Sequence, residues 1–239
     1  MRVFHADLHI HTCLSPCAER EMSPSNIVRL SKERGLDVIA ICDHNCAENV
    51  LATRRAAEKV GLAVIGGMEI TTQEEVHMLG LFADDSSLTA VQNLVYAHLF
   101  GENEPEIFGE QLVMDEQDNV IAHNRRLLIG ATNLTLEEVV QTIHEFGGIA
   151  IASHVDRPSF SVTSQLGFIP DGLGLDGIEV SSWSALPPPG DLPVICSSDA
   201  HRSGEIGTRC TRFLMKAPTV SEIRMALKHI GGRRILTEQ

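Results

Sequence analysis

Aromatic residues are scarce in this chain: of 239 residues one is Trp and one Tyr, and with eight Phe the aromatic share is only 4%. Recognition built on stacked rings is therefore not expected. No apolar run reaches the roughly 18 residues that a membrane span requires, so neither a transmembrane segment nor a membrane partner is expected. The chain opens directly into strand-forming residues, without the basic, apolar and small-residue layout of a signal peptide, and a cytoplasmic location is expected. Its six cysteines, at 13, 17, 42, 46, 196 and 210, would be reduced thiols there. Basic residues are in deficit, 19 against 32 acidic, for a net charge of −13. That balance repels a long polyanion, so extended nucleic acid is not expected as a partner, whereas a small anion gripped by metal ions is compatible with it. Fixed-period repeats, low-complexity tails and linkers are all missing, which favours one domain over residues 1–239.

What the chain does have is histidine, eleven in all. Four positions near the start, His5, Asp7, His9 and His11, alternate with Phe4, Ala6, Leu8 and Ile10. On a β-strand side chains alternate between faces, which predicts one polar and one apolar face. His-x-His at a strand end aims two imidazoles at one point, close enough to grip a single ion.

Beyond this strand the pattern alternates. A helix is predicted from Ser23-Pro24 to Arg34, started by a capping residue with proline at the first helical position and closed by Gly35. Val38 to Cys42 reads as a buried parallel strand, 47–60 as a helix, and Ala63 to Gly67 as the next strand, with Glu69 following it. Only five residues separate Glu69–Ile70 from the apolar run Val76 to Phe82. A parallel crossover needs a dozen or more, so an antiparallel return is predicted, bringing His77 beside Glu69. After a helix at 86–99 the rhythm breaks, giving an irregular insertion or lid at about 100–134 that contains a hairpin of Gln111–Asp115 and Val120–Asn124. It resumes with a helix at Leu136–Phe146, strands at Ile149–Ser153, Ile178–Val180 and Pro193–Ser198, a turn at Pro187–Gly190, a strand at Thr211–Met215 and a helix at Val220–Ile230. Alternating strands and helices build an α/β fold around a largely parallel sheet.

Eight candidate ligands stand at or near predicted strand ends: His9, His11, His44, Glu69, His77, His154, Asp199 and His201. In α/β barrels the loops at the carboxyl ends of the strands converge on one face, so residues spread over nearly two hundred positions meet. Eight ligands are too many for one ion. Nitrogen and carboxylate donors suit zinc, manganese or iron, and a bridging carboxylate can hold two or three such ions together; Glu69 is the natural bridge. Such a centre acidifies a water and neutralises phosphoryl oxygens. Asp43 and His201 are the candidate catalytic residues, with Asp7 and Asp43 also placed to orient imidazole rings from behind. Arg157 and Arg202 are candidates for holding a phosphate by paired hydrogen bonds. An amidohydrolase also begins with His-x-His but commonly uses a bridging lysine, and no lysine stands near a predicted strand end. A metal-containing module that only binds a phosphorylated ligand is the remaining alternative.

Asp7-Leu8-His9-Ile10-His11-Thr12, Cys42-Asp43-His44, Gly67-Met68-Glu69, Val76-His77-Met78-Leu79-Gly80, Ser153-His154 and Ser198-Asp199-Ala200-His201 together resemble, in order and over residues 1 to about 205, the polymerase and histidinol phosphatase (PHP) family. The resemblance implies a distorted (β/α)7 TIM-like barrel, a trinuclear centre of two or three divalent ions (Zn, Mn or Fe), and hydrolysis of a small phosphorylated metabolite or short nucleotide by metal-activated water. It further implies that His9, His11, Glu69 and Asp199 hold one ion, Glu69, His77 and His154 a second, and His44 with His201 a third. Many relatives carry an Asp or His five or six residues past the second histidine. Here Ser15-Pro16-Cys17 occupies that place, so Cys17 is the candidate to complete the third site, with Glu19 a weaker substitute.

Overall fold

The computed structural model describes residues 1–184 and 190–236; the turn expected at Pro187–Gly190 lies, except for Gly190, outside them. In chain order the elements are β1 (Arg2–Ile10), α1 (Pro24–Glu33), β2 (Val38–Ile41), α2 (Val50–Ala57), β3 (Ala63–Thr71), β4 (His77–Phe82), α3 (Asp85–His98), α4 (Pro105–Phe108), β5 (Leu112–Met114) and β6 (Val120–His123). They continue with α5 (Leu136–Glu145), β7 (Ile149–Ala152), α6 (Val162–Leu166), β8 (Gly177–Val180), β9 (Val194–Cys196), β10 (Thr211–Met215), α7 (Val220–Leu227) and β11 (Arg234–Leu236). The short helices α4 and α6 and the edge strand β11 carry too few residues for a periodic signal, and the sequence pattern does not mark them. β3 runs further than its apolar stretch suggests, so Glu69 lies inside the strand.

Nine strands form one sheet in the order β11-β10-β1-β2-β3-β4-β7-β8-β9. The chain leaving β9 returns to β1: Ala200 bridges Ile10, with His11 N donating to Ala200 O at 3.0 Å and Ala200 N to His9 O at 3.3 Å. Seven strands, β1 to β4 and β7 to β9, thereby nearly close into a barrel. β10 pairs antiparallel with Arg2–Ala6 and fills the remaining gap at the other end of β1, where the Thr211 hydroxyl accepts from Cys196 N and donates to Cys196 O, both at 2.8 Å. The antiparallel return of β4 on β3 is present, with Thr71 opposite His77.

Two apolar layers follow from the alternation of the strands. One comprises Phe4, Ala6, Leu8, Val38, Ala40, Cys42, Ile65, Leu79, Leu81, Ile149, Ile151 and Ile195, closed by Phe213, Met215 and α7; this is the barrel interior. The other joins the alternate strand residues, such as Ile39, Ile41, Met68, Met78 and Ile178, to the helices. β1 corrects the simple two-face reading. Its pairing with β2 slips between Asp7 and Ile10, where three steps on β1 oppose two on β2, so an extra residue is accommodated as a β-bulge. Phe4, Ala6 and Leu8 face the interior, but Ile10 belongs to the outer layer. His9 and His11 consequently follow Leu8 onto the inner side, whereas His5 is exposed and Asp7 binds elsewhere.

Residues 99–134 carry α4 and the β5–β6 hairpin, and they are fastened to the barrel. Asp118, at the hairpin turn, accepts from Ser25 N and from the Ser23 hydroxyl, both at 2.8 Å. It thus caps α1, a task Ser23 does not perform for itself. Asn49 donates to Leu112 O and accepts from Met114 N, both at 2.9 Å.

Candidate metal centre

Each ligand arrives at the barrel rim for a local reason. The bulge in β1 delivers His9, and the bridge to Ala200 fixes His11. β3 continues past β2 far enough for Glu69 N to reach Asp43 O at 3.1 Å and for Asn45 N to reach Glu69 O at 2.8 Å, which sets His44 against Glu69. His77 begins β4. His154 and Asp199 have φ of 30° and 51°, a left-handed conformation that is costly for residues other than glycine and recurs at functional sites.

Glu69 is the hub. Its Oε1 lies 3.1 Å from His77 Nδ1, 3.3 Å from His154 Nε2 and 3.4 Å from His9 Nε2, while Oε2 lies 3.0 Å from His44 Nδ1 and 3.4 Å from His11 Nε2. Asp199 Oδ1 is 3.0 Å from His11 Nε2 and 3.2 Å from His9 Nε2. His9 Nε2 and His11 Nε2 face each other at 3.0 Å. Three groups of ligand atoms lie within 4.8 Å of one another: His9, His11, Glu69 and Asp199; His44, Glu69 and His77; and His11, His44 and His201. His44 thus joins Glu69 and His77 as well as His201, a sharing that differs from the apportionment implied by the resemblance. His154 touches Glu69, and Cys17 lines the same cavity as His44 at the edge of the cluster.

The donor set fits cations. His44 Nδ1, His77 Nδ1, Glu69 Oε1 and Asp199 Oδ1 are buried without any hydrogen-bond partner, although ionisable atoms surround them. Lone pairs converge on shared points instead of meeting donors, which is the arrangement of a coordination site and otherwise a costly one. Burial would lower the His9 pKa, but Asp199, Glu179 and Glu69 overcome it and hold the group well above its ordinary range. Against the same burial, Asp199 and Glu69 bring His11 to about 9, and Cys17 and Glu69 bring His44 to about 9. Burial would raise the two carboxylates, yet the histidines keep Glu69 and Asp199 well below the usual range. His201 goes the other way: burial and the charge of His11 push it down to about 3.

Behind the ligands, hydrogen bonds fix the ring tautomers. Ser15 Oγ gives its single proton to Asp43 Oδ1 at 2.7 Å, so it must accept from His11 Nδ1 at 2.9 Å, leaving His11 Nε2 for a metal. Asp43 also accepts from Thr12 N and Oγ1, both at 2.7 Å; it reaches no imidazole directly. Glu179 Oε1 accepts from His9 Nδ1 at 3.0 Å and from His154 N at 3.3 Å. His201 Nδ1 donates to Asp199 O at 2.9 Å. Asp7 accepts from Ser198 N, the Ser198 hydroxyl and Gly207 N at 3.0, 2.6 and 2.8 Å, anchoring the segment before Asp199; burial raises its pKa to about 6. Sequence reading missed Ser15 and Glu179. The signal for Glu179 was a lone carboxylate in the apolar strand Gly177-Ile178-Glu179-Val180.

A cavity of about 240 Å³ opens on the cluster, lined by Glu69, His77, His154, Asp199 and His201 among others. A second, of about 530 Å³, shares Cys17, Arg157, Asp199 and His201 with it and adds Arg202, Glu205 and Arg209. Arg157 contacts Asp199 Oδ2 at the junction. Arg202 is exposed and lies 3.7 Å from Glu19. No lysine lines either cavity, and Glu69 is the carboxylate that the largest number of imidazoles approach.

A family model described as PHP domain matches residues 7–165, and one described as PHP-associated matches residues 191–229. An uncharacterized protein of Methanocaldococcus jannaschii is 28% identical over 183 residues, covering 73% of this chain and 80% of that protein. A 5'-3' exoribonuclease of Haemophilus influenzae is 24% identical over 188 residues, 62% of this chain and 68% of that one. Among solved structures, a lesion-specific endonuclease of Pyrococcus furiosus superposes with a TM-score of 0.73 at 23% identity; the alignment covers 98% of this chain and 58% of the endonuclease. An Endonuclease Q complex, TM-score 0.72 at 21% identity with the same coverage, holds a 27-mer duplex substrate with an abasic lesion at the active site. That complex overturns the expectation that extended nucleic acid is excluded. Net charge is a sum over the whole surface, whereas approach to a site depends on the local field, and here Arg157, Arg202 and Arg209 gather beside the centre. Among the described residues no helix is long and apolar enough to cross a membrane.

Proposed function

The chain belongs to the PHP domain family, whose members are metal-dependent phosphoric ester hydrolases, and we propose that it cleaves the phosphate ester of a small phosphorylated metabolite or a nucleotide. Two or three divalent ions (Zn, Mn or Fe) would be held by His9, His11, His44, Glu69, His77, His154, Asp199 and His201, with Cys17 at the outer position. When bound, they supply the positive charge that acidifies a water and neutralises ester oxygens. The observation that carries this reading is the convergence of buried, unpartnered ligand atoms on Glu69 and Asp199 at the floor of an open cavity.

The chain's own residues have separable tasks. Arg157, at the junction of the two cavities, grips the phosphate oxygens and meanwhile orients Asp199; Arg202 and Arg209 face the part of the substrate that lies in the outer cavity. Asp43 acts through Ser15 on the His11 ring, and is a positioning residue. His201, kept neutral and held by Asp199 O, presents its second nitrogen to the cluster. Ile129 and the segment around Phe160 wall the inner cavity and limit water.

Release of phosphate from an aryl phosphate is the test, with manganese or zinc added. Wild-type protein turns over, and His9→Ala and Asp199→Ala lose activity to background while remaining folded by circular dichroism. A metal-loaded protein inert toward every mono- and diester offered to it would refute the proposal.

A further inference from the structure

Phe160 stands out on the wall of the inner cavity. The cavity floor is ionisable, yet Phe160 and Ile129 line it while remaining 42% and 37% exposed. One face of the Phe160 ring is covered by the His77 imidazole, with centroids 4.8 Å apart and planes inclined by 18°; what the exposed residue still offers is its other face and edge. Its backbone has φ of 54°, a region where an aromatic residue is a genuine outlier and which surrounding structure must impose. Hydrogen bonds on both sides of it do so. His77 N donates to Phe160 O at 2.9 Å. The next residue, Ser161, caps α6, accepting from Ser164 N at 3.0 Å, and its hydroxyl donates to Arg157 O at 2.8 Å. The ring is therefore fixed between a metal ligand and the segment bearing the phosphate-gripping arginine. Helix entry does not account for a phenylalanine there, because the position it would staple, Gln165, is polar.

Resting on the phosphoesterase reading, we propose that Phe160 is the stacking platform for a nucleobase, with Ile129 as a second apolar contact, and that the site takes nucleotides in preference to sugar phosphates that lack a planar ring. With phosphate between Arg157 and the ligand cluster, the base lies against the wall. The scarcity of aromatic residues in the chain does not weigh against this, since one immobile ring suffices for one base. Stacking is tolerant of base identity, so the platform selects the class and not the letter.

Adenosine 5′-methylenephosphonate and the corresponding ribose phosphonate share phosphorus group and sugar, resist hydrolysis, and differ in the base. Calorimetric titration of the metal-loaded full chain with each gives an affinity ratio. We expect the wild type to favour the adenosine compound by about tenfold or more, the ratio to fall toward one in Phe160→Ala and Phe160→Leu, and Phe160→Trp to retain it. The leucine variant keeps apolar bulk without a π face and serves if the alanine variant does not fold. A wild-type ratio near one, a ratio unmoved by either substitution, or failure of both compounds to bind would overturn the platform. Ester turnover with no base preference leaves the phosphoesterase reading standing and removes the platform; base preference without turnover of any ester does the reverse.

Discussion

The same inward-facing rows of the barrel are built to two different specifications. In the lower rows stand Phe4, Leu8, Ile65, Leu81, Ile149 and Ile195, packed on Phe213 and Met215 with no ionisable partner among them. Toward the rim stand His9 on β1, Glu69 on β3, His77 at the start of β4, Glu179 on β8 and, just past β9, Asp199. Burial is nearly equal in both regions, but in the lower one it is favourable, at roughly 25 cal/mol per Å² of apolar surface. In the upper one it leaves ligand atoms without partners, and only the neighbouring histidines keep Glu69 and Asp199 ionised against it. The lower rows hold the strands together, so that the upper rows can keep a cluster of like and opposite charges which the chain would not assemble for its own stability.

This contrast can be broken from either side. Phe213→Ala, deep in the lower rows, should cost about 3–5 kcal/mol of folding stability while leaving metal stoichiometry unchanged; denaturant unfolding beside elemental analysis checks both. If the metal content collapsed with a still-folded barrel, the two regions would not be separable. A pH series probes the upper rows. In the metal-free protein His11 and His44 hold their protons up to about 9, above the ordinary 6.5, because acidic partners outweigh burial. Those raised values stabilise the metal-free fold fully below pH 6.5, and the contribution is lost as pH rises through about 9. A cation must displace the same protons, so its affinity should climb by about tenfold per pH unit for each proton displaced as pH rises toward about 9, and then level off. Competition with a chelating dye across that range reads the slope, and a flat profile would mean the histidines are already neutral. The smallest effect is expected for Glu179→Gln, which keeps the size of the side chain but weakens the acceptor behind His9. Metal affinity should fall by about 10- to 100-fold, with no loss of thermal stability in the metal-free protein.

Much of this was legible along the chain because its signals are local. Apolar runs bounded by Gly and Ser-Pro marked β2, α1, β7 and β9, and the short gap after Glu69 required an antiparallel β4. The candidate ligands could be gathered from the sequence because strand ends in such folds share one face. What escaped was non-local or too short. The bulge that puts His9 behind Leu8 shows only in the pairing of β1 with β2. Ser15 matters because Asp43, 28 residues away, accepts its hydroxyl hydrogen bond. Glu179 looked like any residue of a short strand until His9, 170 positions earlier, met it. The charge argument failed for the opposite reason: it used a total where only the arginines beside the cavity count.

Residue types and their order determined the alternation of strands and helices, the apolar rows and the supply of imidazoles and carboxylates, since these depend on near-neighbour geometry and on which groups leave water easily. The tertiary structure alone decided which nitrogen of each histidine faces inward, which groups fix those rings from behind, and which aromatic ring stands at the cavity. Those outcomes depend on distances between segments far apart in the chain, and only the closure of the barrel sets them.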